Sequence, residues 1–176
     1  MLIISIYKKN NDNSLKFYIT NYNKFMKTKF KAMVLSCMDP RFQPKIFNYL
    51  KKRKLSGDYS SFTIAGSAVG VTHNYFKKWH KTFFENLAVS IKIHKISKLI
   101  VINHEDCRAA RVAEGKEDID EVKVHQSSFD RLKKKLNKKF PKLKLEFHIM
   151  KLNNKFIKLQ LLLISNQWIN FGTEIL

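Results

Sequence analysis

An α/β fold with a parallel-core twisted β-sheet flanked by helices is what this sequence predicts, on three observations. Short runs of branched apolar residues alternate with longer stretches of helical period, in the order β-α-β-α-β-α-β. No Gly/Ser-rich linker and no internal repeat interrupts the 176 residues, so one core is expected. The residues richest in chemistry, Cys37, Gly66 and His104, each follow directly on a predicted strand. Sites in doubly wound sheets form beyond the carboxyl ends of the strands.

The elements follow in order. Ala32-Met33-Val34-Leu35-Ser36 is a short apolar run with the character of a buried strand, and it ends at Cys37. Pro44 suits the first turn of a helix, Ile46, Phe47 and Leu50 continue at helical spacing, and Gly57 closes the segment. Ser61 to Ala65 reads as a second strand, stopped by Gly66. A long helix is expected from about Asn74 to Lys95, with Phe76, Trp79, Phe83, Leu87 and Ile91 as its core stripe. Lys98-Leu99-Ile100-Val101-Ile102 is the clearest strand and delivers His104 at its end. Residues 108–120 read as a loop with short helical character. From Glu121 to Phe140, Val122, His125, Phe129, Leu132 and Leu136 mark another helix, whose lysine runs form a solvated face and which Pro141 ends. Leu143 to Met150 alternates apolar and polar residues, which predicts a final strand near an edge of the sheet.

Outside this block, residues 1–30 read as an N-terminal arm or unstructured lead, and Met26 is a candidate start of the functional protein. Residues 155–176 form a C-terminal tail. The apolar run Leu159 to Ile164 is too short to span a bilayer, and the N-terminal apolar stretch is too short for a signal segment. No membrane partner is expected.

The net charge of +20 has two readings. One is a polyanion partner. The simpler one is compositional bias, because Arg occurs only at Arg41, Arg53, Arg108, Arg111 and Arg131 and the remaining cations are lysines. Nucleic-acid readers favour arginine for bidentate contacts. No stacking motif or nucleic-acid signature is present, so no specific nucleic-acid partner is expected. Two cysteines make no disulfide framework, and free thiols suit a reducing cytoplasm.

The two cysteines fall inside the two words that carry the most chemistry, Cys37-Met38-Asp39-Pro40-Arg41 and His104-Glu105-Asp106-Cys107. Two thiolates and one imidazole are a ligand set that zinc favours, and three protein ligands leave a fourth position open for water. Cys37, His104 and Cys107 are therefore the candidate metal ligands, for one Zn²⁺ per chain. Taken singly, a cysteine at a strand end is more often a small buried apolar residue; it is their joint placement at strand ends that favours the metal. Asp39 and Arg41, one residue apart, would point to the same side of an extended stretch. The guanidinium would keep the carboxylate ionised and oriented. Asp39 either accepts a hydrogen bond from metal-bound water or coordinates the metal itself; an ordinary salt bridge is the third possibility.

In order, Cys37-Met38-Asp39-Pro40-Arg41-Phe42, then Ala65-Gly66, then Asn103-His104-Glu105-Asp106-Cys107 resemble the motifs of the β-class carbonic anhydrases and their bacterial relatives, over about residues 30–150. The resemblance implies a zinc domain over 31–154, with Cys37, His104 and Cys107 as ligands and Asp39 and Arg41 as the catalytic pair. It implies a zinc lyase of the carbonate dehydratase type, hydrating CO₂ reversibly to bicarbonate through a zinc-bound hydroxide. It also implies a homodimer or higher homo-oligomer. COS or CS₂ hydrolysis on the same scaffold, and a catalytically weak zinc- or anion-binding relative, are the alternatives. Two positions depart from the family pattern: Arg108 stands where glycine commonly follows the second ligand cysteine, and Ser67 where asparagine often follows Ala-Gly. With Gly66 they are candidate substrate-site residues. His73 is the best placed of the remaining histidines for proton transfer, although a structural role fits each of them better.

Overall fold

In the computed structural model the chain is described over residues 29–153, 156–159 and 173–174. Its architecture rests on strands apolar on both faces, which can only sit between two covering layers. β1 (Ala32–Ser36) is buried at every position, and β3 (Lys98–His104) at all but its first. They pair in parallel, Met33 opposite Leu99 and Ser36 opposite Ile102. β2 (Tyr59–Thr63) adds in parallel outside β1, and β4 (Lys144–Met150) outside β3. Two further strands, β5 (Phe156–Leu159) and β6 (Thr173–Glu174), continue antiparallel past β4, giving the order β2-β1-β3-β4-β5-β6.

Successive strand residues face opposite sides, and the two cores follow that alternation. Met33, Leu35, Leu99, Val101, Phe147 and Ile149 meet Phe83, Phe84 and Leu87 of α2 (Lys77–His94) and Phe129, Leu132 and Leu136 of α4 (Glu121–Lys139). Ala32, Val34, Ile100, Ile102 and Met150 meet Phe42 and, from α1 (Gln43–Lys52), Ile46, Tyr49 and Leu50. A third, smaller cluster gathers Cys37, Val69, Phe76, Cys107, Ala110 and Val124. Its cysteines sit just beyond β1 and at the entry to α3 (Arg108–Glu114), so it caps the carboxyl ends of the central strands.

The expected elements are present, with three shifts. The second strand lies at 59–63, two residues before the predicted 61–65, because Ile64 to Thr72 already belong to a tight turn region. The predicted long helix begins with a 3₁₀ turn, Asn74–Phe76, and of its expected stripe Trp79 stays 37% exposed; on α4 Val122 is exposed. The third concerns the sheet's edge. β4 is the outermost parallel strand, but β5 pairs along its far side, so the sheet does not end there. Its polar residues Glu146 and His148 face α1 rather than water: Tyr49 Oη meets His148 Nε2 at 3.3 Å, and Arg53 Nη1 donates to Glu146 Oε2 at 2.7 Å.

Of the expected lead over 1–30, residues 1–28 lie outside the described residues. Phe30 packs its ring against that of His94 at 4.4 Å. Of the tail over 155–176, only β5 and β6 are described. No helix among the described residues is long and apolar enough to cross a membrane.

Candidate metal centre

The parallel register of β1 and β3 brings Cys37 and His104 together, because both lie at the carboxyl ends of neighbouring strands. Past His104 the chain turns through Asp106, which holds a left-handed backbone (φ 56°), and returns Cys107 to the same point. One ligand atom from each of Cys37, His104 and Cys107 lies within 4.8 Å of the others, and all three residues are buried. This suits a single tetrahedral ion with zinc–sulfur bonds of about 2.3 Å. His104 adds a second indication of fit. Its Nδ1 donates to the Glu105 carbonyl at 2.8 Å, which leaves Nε2 as the lone-pair nitrogen. That Nε2 is buried and has no hydrogen-bond partner. Phe42 stacks on the imidazole at 4.2 Å and fixes its plane.

The two thiols divide their acidity. Hydrogen bonding from Cys107 holds Cys37 well below the ordinary thiol range against the opposing effect of burial. The same interaction, reinforced by burial, pushes Cys107 up. The Cys37 sulfur also accepts the Gly66 N–H at 3.3 Å, and the Gln43 side-chain amide donates to the Cys37 carbonyl. The Gly66 turn therefore touches the site through its backbone, in a left-handed conformation (φ 76°) that suits glycine.

Asp39 and Arg41 pair closely, but in a turn and not in an extended stretch. Phe42 N–H donates to the Asp39 carbonyl at 3.2 Å, closing a turn whose second residue is Pro40, where its fixed φ belongs. Asp39 Oδ1 caps that turn by accepting the Arg41 N–H at 3.0 Å. Arg41 Nε and Nη2 then grip the carboxylate at 3.0 and 2.7 Å. These bonds hold the Asp39 carboxyl below the usual carboxylate range. Arg41 also reaches across to the β3–α3 turn, with Nη1 donating to Asp106 Oδ2 at 2.7 Å and Nη2 to the Asp106 carbonyl at 3.1 Å.

Ser67 lies beside the site with its side chain turned inward. It is buried, has a left-handed backbone (φ 50°), and donates its hydroxyl to the Leu35 carbonyl at 3.3 Å. Arg108 is exposed at the first residue of α3. His73 sits at the entry to the 3₁₀ turn, where its Nδ1 accepts the Tyr75 N–H at 3.2 Å and its Nε2 lies 3.6 Å from Glu114.

Several residues around the site carry roles that the sequence did not assign to them. Asn103 is buried one position before His104; its Oδ1 accepts the Ala68 N–H at 3.1 Å, and its Nδ2 donates to His125 Nδ1 at 3.0 Å. An amide interrupting an apolar strand is the signal that marks it, since a buried amide needs partners. Burial keeps His125 from charging and pulls its pKa down to about 4. Asp106 bridges two arginines, with Arg111 Nη2 at 2.7 Å from its Oδ1. Glu121, at the first residue of α4, accepts the N–H groups of both Asp106 and Cys107.

Residues 26–143 match the family model described as putative carbonic anhydrase, and the chain belongs to that family. An uncharacterized protein of Rickettsia conorii is 22% identical over 159 residues, covering 85% of this chain and 86% of its own length. The solved structure of the β-carbonic anhydrase CcaA matches 90% of this chain and 93% of its own, with 12% identity and a TM-score of 0.53. One of two tetrameric β-carbonic anhydrases from Sordaria macrospora matches 83% of this chain and 91% of its own, with 10% identity and a TM-score of 0.51. These structures share the fold: a parallel four-stranded core flanked by helices.

Proposed function

We propose that this chain is a zinc-dependent carbonic anhydrase that interconverts CO₂ and bicarbonate. One observation carries the reading: three buried ligand residues converge, with the His104 Nε2 lone pair left free, beside an Asp39–Arg41 pair locked by several hydrogen bonds. Membership of the family supports it. Cys37, His104 and Cys107 would hold one zinc ion. Zinc in such a site supplies Lewis acidity that ionises water near neutral pH.

The residues of the chain do the rest. Asp39, kept ionised by Arg41, accepts a hydrogen bond from the attacking water and orients it toward the carbon of CO₂. Arg41, held in turn by Asp106, fixes where that carboxylate points. Phe42, stacked on His104, and Val69, packed with Cys37 and Cys107, are fully buried and keep bulk water off the ligands. Gly66, Ser67 and Arg108 are proposed to border the substrate. Gly66 and Ser67 would do so through backbone, and exposed Arg108 through a charge that attracts the bicarbonate anion. The two free cysteines fit a reducing cytoplasm, and the tetrameric relatives favour a homo-oligomer.

The test is stopped-flow CO₂ hydration on zinc-quantified protein beside Cys37→Ser. One zinc per chain with hydration that disappears in the variant is expected. Stoichiometric zinc without hydration anywhere between about pH 7 and 9, where metal-bound water ionises, overturns the reading. Turnover of COS or CS₂ in place of CO₂ would assign the same site to the hydrolase alternative.

A further inference from the structure

The turn that carries Cys107 passes through a left-handed residue, a conformation that aspartate tolerates better than most L-residues. Asp106 is a non-glycine residue at φ 56°, in the left-handed region that costs an L-residue energy. Around such a residue, successive backbone N–H groups point into one concavity, a small anion-holding nest. Here the anion comes from the chain itself. Glu121 Oε2 accepts the Asp106 N–H at 2.8 Å, and Glu121 Oε1 accepts the Cys107 N–H at 3.1 Å. Arg111 adds a weaker link to Glu121 at 3.5 Å while binding Asp106 at 2.7 Å. Glu121 is part-buried and stands at the start of α4, the helix that packs Phe129, Leu132 and Leu136 into the main core. Arg41 holds the turn through the Asp106 side chain and carbonyl, whereas Glu121 holds its N–H groups and ties them to a long, anchored element.

We infer that Glu121 is a positioning residue for the metal centre, holding the Cys107 ligand in place by gripping the two backbone N–H groups of its turn. A carboxylate offers two equivalent acceptors, one for each N–H. A carboxamide keeps one acceptor oxygen and replaces the other with an NH₂ donor, so in Glu121→Gln only one of the two N–H groups keeps the acceptor it faces. Partners one step removed from the metal typically alter its affinity about 10- to 100-fold. The inference rests on zinc binding by Cys107 for its consequence, but the clamp is a property of the protein alone.

The competing explanation is that Glu121 merely favours the N-terminus of α4, as an acidic first-turn residue does. Asp120 separates the two. It caps the same helix by accepting the Lys123 N–H at 3.0 Å and takes no part in the Cys107 turn. The experiment uses full-length protein, wild type beside Glu121→Gln, Glu121→Ala and Asp120→Ala. Zinc affinity is read by chelator competition, and melting is measured in excess chelator. Glu121→Gln is expected to bind zinc about 10- to 100-fold more weakly while melting no lower than Asp120→Ala. Asp120→Ala is expected to melt lower with zinc affinity unchanged. Amide hydrogen exchange at Asp106 and Cys107 should be fast in Glu121→Ala and slow in wild type, and this holds whether or not zinc is bound. If Glu121→Ala fails to fold, Glu121→Gln decides by the same measurements. Wild-type zinc affinity in Glu121→Gln, or an equal loss in Asp120→Ala, overturns the inference. A wild-type protein that binds no zinc yet shows the exchange difference leaves the clamp standing and defeats the proposed function instead.

Discussion

A methyl group separates a tolerated glycine from an indispensable one in this chain. A Cβ on Gly70 would lie 2.1 Å from the Ala65 carbonyl oxygen, and that oxygen is backbone, so the 65–70 turn would have to open. Gly115, beyond the end of α3, has open space around its Cβ position and only its left-handed backbone (φ 71°) to protect. Gly70→Ala should therefore cost about 2–4 kcal/mol, and Gly115→Ala about 1 kcal/mol. Urea denaturation of both variants checks the pair, and equal midpoints would refute the steric argument. Arg41 allows a second test. Its planar fork grips Asp39 through Nε and Nη2 while Nη1 binds Asp106, a geometry that the ammonium of a lysine does not reproduce. On the proposed function, Arg41→Lys should bind zinc as wild type does but lose hydration activity toward about 100-fold, the scale of a slightly misplaced group; unchanged kcat would remove Arg41 from the proposed mechanism. The candidate ligands can be read in the sequence because the chain has only two thiols and the strands that end beside them are strongly apolar. Glu121 cannot be read there. It lies 14 and 15 residues from the backbone groups it binds, and its position explains itself locally as a favourable helix start.

The same contrast holds for whole elements. β1 and β3 announce themselves by unbroken apolar runs, Ala32–Leu35 and Leu99–Ile102, which only a strand covered on both faces tolerates. β4 is recognisable as a strand, but its alternation suggests one wet face. In fact Glu146 and His148 lie beneath α1, and what keeps them there is an ion cluster contributed by other elements. Arg53 follows α1 and reaches Glu146 at 2.7 Å, and Lys98 opens β3 and reaches it at 2.6 Å. The sequence cannot announce those partners, since they lie 93 positions away in one case. Trp79 shows the reverse error. Its spacing matches the core stripe, but it falls in the first turn of α2, where the aromatic group of Phe76 covers only one side of its ring, the two stacking at 4.4 Å. The Glu146 cluster makes a prediction about acid. Burial opposes ionisation of Glu146, but its hydrogen bonds outweigh that and pull its carboxyl below the usual range. The folded value lies under the unfolded value of about 4.3, so the stabilisation is complete above that pH. It is lost as the pH falls toward the folded value. At pH 7 Glu146→Gln should cost about 1–3 kcal/mol. Denaturation midpoints of wild type and variant should converge as pH drops below about 4.3; a gap that widens in acid would contradict the assignment.

At the scale of the whole molecule the largest force left unbalanced is its own charge. Thirty-four lysines and arginines face 14 acidic residues, a net of +20. Even with every acid paired, that excess repels itself in the folded state more than in the expanded one. Added salt acts on both terms. It weakens exposed pairs such as Lys81–Glu85, whose side chains are 84% and 63% exposed, but such a pair contributes only about 0.3–0.5 kcal/mol. It acts far less on the Glu146 cluster, which is largely out of solvent. The repulsion is long-ranged. Near 10 mM salt the screening length is about 30 Å, wider than the radius of a domain this size, whereas at 150 mM it is about 8 Å. Screening should therefore remove more repulsion than attraction, and the sign of the effect is stabilising. Raising NaCl from about 10 to 300 mM should lift stability by about 1 kcal/mol, or about 2–4 °C in the melting temperature of a chain this long. Chloride is the anion to use, because sulfate and phosphate stabilise proteins through exclusion from their surface and would mimic the result. A melting temperature that falls with NaCl would mean that the surface ion pairs outweigh the excess charge, and the reading of this molecule as one held together against its own repulsion would fail.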